Sequence, residues 1–428
     1  LVTGVQTCAL PIYGQSGPVA ESATETGGID GVVRRIAGAV PGLVESTRRI
    51  ARIARTAVSV GARTGLLPHT VPRGVPFLIS SLLRDRSTPS TVYRLQALSQ
   101  PRKVALYAGE RAWTFAQIDA EIGRLAAGLR SAGTGRGGRV ALMMRNGPEF
   151  LFAQPALSRI GAAGVNVSRH ATPQELAWIV NHGDARALLF DHELADTVRA
   201  AIDGMTTLSR ERMYSVGGRV QGFPAYEQLV AGRPFPHGDE VSEQAAVIVY
   251  TSGTTGTPKA AIRRFPHDVV QGTLDLLSVA PLRADDVHLA VLPFYHSTAF
   301  AFTSFSHLVG ACVVILDEFT PEGFLSAVQR WGVTQTAVVP TMLHRIVELG
   351  SERIAQWNTR SLRAIISCGA PLGAALASRV TEQFGEILYN FYGSTETGLN
   401  TMATPSDLRR SPGTIGRAIP GNEIRLLG

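Results

Sequence analysis

The chain has 428 residues, 45% hydrophobic and 18% charged, with a formal net charge of +7, a composition that excludes an intrinsically disordered chain and permits one large α/β domain or two to three smaller ones. The positive balance favours anionic partners without choosing among nucleotides, acidic lipid and nucleic acid. Its three cysteines, Cys8, Cys312 and Cys368, are too scattered for a disulfide framework or a zinc site, so a reduced, cytoplasmic setting is expected.

Taken in chain order, residues 1–30 read as a disordered or artefactual N-terminus. LVTGVQTCALPI lacks the basic n-region of a signal peptide, and residues 13–30 are small, polar and Gly-rich. Residues 31–86 read as a basic helical extension. Arg48, Arg52 and Arg55 recur at i, i+4 and i+7, while Ile50, Ile53 and Ala57 occupy another face. Two readings stay open: a helix packed on the body with a solvated Arg face, or an amphipathic helix in residues 32–67 lying on anionic lipid at the inner face of the membrane. Apolar runs such as Leu308 to Leu316 fall short of the roughly 20 residues that span a bilayer.

The main domain is expected over residues 87–428, after Pro68, Pro72 and Pro76. TFAQIDAEIGRLAAGLRSAG predicts a helix capped by Thr114, with Ile118, Ile122, Leu125, Ala126 and Leu129 on one side. RVALMM predicts a buried strand and PEFLFAQPALSRIGA a second helix. Further strands are predicted at ALLF, AAVIVY (245–250), HLAVLP (288–293), CVVIL (312–316), RAIIS (363–367) and the terminal NEIRLLG. Strand–helix alternation of this kind predicts an α/β fold of layered, largely parallel sheets, and no internal repeat is evident in the sequence.

The stretch AAVIVYTSGTTGTPKAA is the most informative. A buried strand runs into a loop of Ser, Thr and Gly that ends in Pro258 and Lys259. Gly253 and Gly256 admit an anion close to backbone N–H groups, Thr251, Ser252, Thr254 and Thr255 add hydroxyls, and Lys259 adds charge. Together they form a phosphate cradle. It is not a Walker loop, because its glycines are two residues apart and Ala260 follows the lysine. Gly133-x-Gly135-x-x-Gly138 matches the dinucleotide fingerprint but lies between a helix and a strand, the reverse of the required order, and reads as a helix C-cap and turn.

YTSGTTGTPK resembles the signature loop of the adenylate-forming superfamily of acyl-CoA synthetases, luciferases and peptide-synthetase adenylation domains. The resemblance runs in order from about Trp113 to the C-terminus through TFAQIDAEIGRLAAGL, GRVALMMRNGPEFLFAQPA, GVNVSRHATPQELAWIV and PGTIGRAIPGNEIRLL. Two positions depart from the pattern. Ala260 replaces a usual glycine, where a methyl is expected to tighten the loop, and Ala299 replaces another. The resemblance implies the large domain of that fold, with the smaller lid domain and its catalytic lysine absent and the ribose-gripping Asp just past the end of this chain.

His296 in LPFYHSTAF follows a strand, where open α/β sheets bind ligands, and the resemblance places a His or aromatic there beside the acyl carboxylate. Phe300, Phe302 and Phe305 are expected to line an acyl tunnel or to pack the core. No Asp or Glu lies between Pro293 and Gly310, so nothing there would pair the ammonium of an amino acid, and an apolar acid is expected. SCGAPLG and NFYGSTETG each follow a predicted strand. The small residues Gly369, Ala370 and Pro371 would lie against a purine, Tyr392 offers a ring to stack, and Thr395 and Glu396 offer oxygens to the α-phosphate and Mg²⁺. The resemblance assigns these same roles, with Gly393 and Ser394 completing the nucleotide site. A plain turn and a helix N-cap are the alternative readings of the two segments.

The implied activity is ATP-dependent formation of an acyl-adenylate followed by transfer to CoA, with a medium- or long-chain fatty acid as the expected substrate and weak turnover for this chain. An aryl-acid ligase, a fatty-acyl-AMP ligase and a non-catalytic nucleotide- or acyl-binding module are the alternatives. Nucleic-acid binding is not expected, because the Arg cluster has no interleaved aromatics.

Overall fold

The computed structural model describes residues 56–66, 74–83, 88–236, 246–251, 259–264, 269–394 and 397–425. Most of them build two sheets within a compact unit that runs from Ile53 to Gly428. One sheet has six strands in the order β6 (Met213–Val216), β5 (Ala187–Asp191), β3 (Arg139–Met143), β4 (Ala163–Asn166), β7 (Ala246–Thr251) and β8 (Lys259–Arg264). Only β8 runs antiparallel. The other has nine: β15 (Arg417–Ala418), β14 (Gly398–Ala403), β13 (Leu388–Ser394), β12 (Ala364–Ser367), β11 (Gln335–Val338), β9 (Val287–Ala290), β10 (Cys312–Ile315), β1 (Val104–Ala108) and β2 (Arg111–Thr114).

The apolar runs that predicted buried strands become these parallel strands, because a strand covered on both faces must be apolar on both. Every residue of β4, β5, β11 and β12 is buried. The helix predicted after Thr114 spans Phe115–Ser131. Its cap is reciprocal: the Gln117 N–H donates to the Thr114 hydroxyl, and the Thr114 N–H donates to the Gln117 side chain. Gly133 follows this helix at φ +84° and leads through a turn into β3, as the glycine spacing implied.

The two sheets share a topology that the sequence did not reveal. Strand order β6-β5-β3-β4 in one is matched by β12-β11-β9-β10 in the other. In each, the chain moves one strand outward, then crosses back over its starting strand and continues the other way. Right-handed crossovers put helices of opposite travel on opposite faces. Thus helices Pro148–Arg159 and Ser297–Val309 enter one shared core between the sheets, while Pro321–Trp331 and Pro340–Val347 pack on the far face of the nine-stranded sheet. Phe150 meets Phe294 inside the shared core, with ring centroids 5.9 Å apart.

One expectation needs correction, at the C-terminal end. Within the basic extension, the helical residues 56–64 pack on the body, where Thr64 O accepts from the Ala284 N–H at 2.7 Å and Arg63 donates to Ala280 O at 2.9 Å. The Arg48–Arg55 face lies outside the described residues. No strand forms over Asn422–Arg425; the Asn422 amide instead donates to the carbonyls of Leu399 and Asn400, using groups a neighbouring strand would need. No described helix is long and apolar enough to cross a membrane.

Candidate active site

The predicted phosphate loop connects β7 to β8. Thr251 and Lys259 are register partners, so residues 252–258 close a hairpin whose base is fixed by a regular ladder back to Ala246 and Arg264. Ser252, Gly253, Thr254, Thr255 and Gly256 lie outside the described residues, as do the side chains of Thr251 and Lys259. Ala260 is an exposed strand residue opposite Tyr250. Its methyl therefore stands in the ladder beyond the loop, which corrects the expectation that it tightens the loop.

Three other predicted segments meet at the C-terminal edge of the nine-stranded sheet, where β9, β11, β12 and β13 are neighbours. His296 follows β9, Gly369–Pro371 follow β12, and Tyr392–Ser394 finish β13. Neighbouring strands are about 4.8 Å apart, so His296 and Tyr392 are separated by roughly 15 Å of sheet edge. This edge includes a topological switch point, between β9 and β11, where open α/β sheets bind ligands.

His296 is exposed as the N-cap residue of Ser297–Val309 and leans on the Tyr295 ring at 4.4 Å. Desolvation of the ring lowers its pKa from the usual 6.5. Gly369, Ala370 and Pro371 are exposed, and Gly369 adopts φ +79°, a conformation that β-carbon-bearing residues avoid. Tyr392 is 49% exposed, a bare ring at the edge, while its neighbour Phe391 is buried edge-on against Phe302 at 5.6 Å.

Thr395 and Glu396 lie outside the described residues. Their flanks show that the segment is a hairpin and not the helix N-cap considered from the sequence: β13 turns directly into β14, with Ser394 opposite Gly398. The Ser394 hydroxyl accepts from the Thr397 N–H at 3.0 Å and ties the turn. A β-carbon at Gly393 would collide with the Gly398 carbonyl, so this site needs glycine.

The residues that join the two sheets went unrecognised in the sequence. At the end of β4, Asn166 donates to Tyr295 O at 3.1 Å, and Gln154 donates to Asn166 Oδ1 at 2.6 Å. Just after β3, Asn146 donates to Leu292 O and accepts from the Phe294 N–H, both at 2.9 Å. These bonds stop β9 at Ala290, short of the predicted Pro293, and hold the His296 loop against the six-stranded sheet. Asn166 is also the register partner of Val249 on β7, two residues before the phosphate loop. The available signal was an asparagine inside the apolar run GVNV, at a strand end.

Leu292, Phe294, Ala299 and Phe302 border a small gap along β9 that is too narrow to admit a water molecule. Of the Phe run, Phe300 and Phe302 are core and Phe305 packs against it. Among the described residues no cluster of three or more His, Cys, Asp or Glu could hold a metal ion; a Mg²⁺ bound through one carboxylate and phosphate oxygens does not require such a cluster.

A feruloyl-CoA synthase from Amycolatopsis is 30% identical over 78% of this chain and 65% of its own. An indoleacetate–CoA ligase from Aromatoleum aromaticum is 27% identical over 77% of this chain and 64% of its own. The chain therefore spans just under two thirds of the length of these curated relatives. The crystal structure of ATP-bound MatB from Rhodopseudomonas palustris superposes with a TM-score of 0.65 at 26% identity, covering 78% of this chain and 65% of that one. Residues 93–428 match the family described as AMP-binding enzyme, and with that match over most of its length the chain belongs to the AMP-binding enzyme family.

Proposed function

We propose that this chain carries the nucleotide- and acid-binding part of an AMP-forming acid–CoA ligase. The acid's carboxylate attacks the α-phosphorus of ATP, giving an acyl-adenylate and pyrophosphate, and the CoA thiol then displaces AMP. Residues 251–259 hold the β- and γ-phosphates through loop amides, hydroxyls and Lys259. Gly369, Ala370 and Pro371 lie along adenine with Tyr392 stacked on it, and Gly393, Ser394 and Thr395 face the α-phosphate. Glu396 would hold Mg²⁺ together with phosphate oxygens, and the ion would neutralise charge on the triphosphate. No protein nucleophile is needed; catalysis comes from alignment and from donors fixed before reaction. His296 stands beside the carboxylate.

One observation carries this reading. Asn166, paired to β7 just before the phosphate loop, also holds the carbonyl of Tyr295, which supports a single site receiving both triphosphate and acid. The relatives named for CoA ligation and the ATP-bound structural neighbour agree with it.

For the acid, the absence of Asp and Glu between Pro293 and Gly310 supports a carboxylic acid without an ammonium group. The sequence favours a medium- or long-chain fatty acid. An aryl acid is the second reading, supported by relatives named for feruloyl and indoleacetate substrates. Acid-dependent exchange of pyrophosphate into ATP, with ATP affinity measured alongside, tests the assignment. Lys259→Ala should lower exchange by about 10²-fold, as for loss of one transition-state donor. Equal exchange in the variant, or stimulation by amino acids in place of apolar acids, would overturn it.

A further inference from the structure

Gln154 is a buried polar residue that no step of the proposed chemistry uses. It stands in the middle of the Pro148–Arg159 helix, 4% exposed, on an element that enters the core between the sheets. Its Nε2 donates to Asn166 Oδ1 at 2.6 Å, and Asn166, itself buried, donates to Tyr295 O at 3.1 Å. Room for the Gln154 carboxamide comes from Gly164, two residues before Asn166 and on the same face of β4. A β-carbon at Gly164 would lie 2.6 Å from both Oε1 and Nε2 of Gln154.

The last acceptor dictates the direction of these bonds. A carbonyl oxygen can only accept, so Asn166 must turn its NH₂ toward Tyr295 and its Oδ1 toward the helix. Whatever faces that Oδ1 must then donate, and the Gln154 NH₂ does so. Both amides are buried, where a donor or acceptor left unmet costs more than a made bond returns. The Asn166 backbone is held on both sides, as register partner of Leu142 on β3 and of Val249 on β7. What is left to vary is the orientation of its amide, and Gln154 sets it.

Resting on the placement of the acid beside His296, we propose that Gln154 is a positioning residue for acid binding. It acts through Asn166, not on a reacting atom: by orienting that amide it keeps the Tyr295–His296 step fixed against the strand that leads into residues 251–259. The Asn146 bonds secure the loop only as far as Phe294, so Tyr295 depends on Asn166. The effect is confined to one substrate. Residues 251–259 are set by the β7–β8 pairing, and Gly369–Pro371 and Tyr392–Ser394 by β12 and β13. Loss of the Gln154 donor therefore weakens acid binding and spares ATP binding.

Calorimetric titration of the 428-residue chain tests this, with ATP alone and, in the presence of AMP, with decanoate and with 3-phenylpropanoate. Gln154→Met keeps the length of the side chain and removes the donor. Gln154→Glu keeps the shape but sets an acceptor against Asn166 Oδ1, so the Asn166 amide either meets that repulsion or turns its own oxygen toward Tyr295 O. Affinity for whichever acid the wild type binds should fall about tenfold in Gln154→Met, and further in Gln154→Glu, with ATP affinity unchanged in both. Gly164→Ala leaves both amides in place but crowds Gln154 aside; it should weaken acid binding in the same way, and it decides should the Gln154 variants not fold. Unchanged acid affinity, equal losses for acid and ATP as a merely structural role would give, or Gln154→Glu no weaker than Gln154→Met would each overturn the proposal and leave the ligase reading standing. A wild-type chain that binds neither acid would overturn the placement of the acid beside His296 and this proposal with it.

Discussion

Asn146 and Asn166 fasten the His296 loop across two sheets. An asparagine can do this with one side chain, offering a donor and an acceptor to backbone groups that have no strand partner. The place of His296 after an apolar strand was legible in the sequence. Its neighbours were not, since which backbone groups lack partners depends on where strands end. The buried histidines give a prediction at this scale. His288 and His307 are both held at about pKa 4 by desolvation, below the usual 6.5. Between those values the unfolded chain binds protons that the folded chain excludes. Their neutral burial is therefore fully compatible with folding above about pH 6.5, and stability falls as pH drops from there toward 4. Urea midpoints at pH 7, 5.5 and 4.5 should decline, and His307→Gln should flatten the decline; midpoints constant across this window would contradict the assignment.

Among the elements, helix Phe115–Ser131 was the most readable, because its cap and its apolar stripe are local properties of one segment. The segment NFYGSTETG was ambiguous for the opposite reason. Its Ser, Thr and Glu suit a helix N-terminus as well as a turn, and only the pairing of β13 with β14 makes it a hairpin. Gly393 is the residue that this pairing constrains, since its backbone closely approaches the Gly398 carbonyl. Gly393→Ala should force the two strands apart and cost about 1–3 kcal/mol, the usual range for overpacking. Urea denaturation would measure the loss, and an ATP titration of the same variant would test the proposed stacking of Tyr392. Unchanged stability would mean that the hairpin relaxes freely.

For the whole molecule, the two sheets are held by a few buried polar contacts as well as by the shared apolar core. Arg159, fully buried on its helix, reaches Asp119 Oδ1 on the neighbouring helix at 2.7 Å, and Arg94 takes the other carboxylate oxygen at 3.2 Å. Asp119→Ala would leave a buried guanidinium without its carboxylate and should cost about 3–5 kcal/mol. Replacing Asp119 and Arg159 together with Leu and Met should cost less, because a paired burial of charge is often nearly neutral against apolar residues of similar volume. Chemical denaturation of the single and double variants checks the order, and a double variant less stable than Asp119→Ala would refute it.

Taken alone, the sequence determined what depends on neighbours in the chain: buried strands from apolar runs and helix starts from their caps. Tertiary structure decided what depends on residues far apart. Strand order placed His296, Gly369 and Tyr392 along one sheet edge, Asn166 tied that edge to β7, and parallel pairing set His288 beside Gln335. The reason is physical: propensity and periodicity act over a few residues, whereas the partners of buried polar groups are chosen only when separate segments compete for the same space and the same hydrogen bonds.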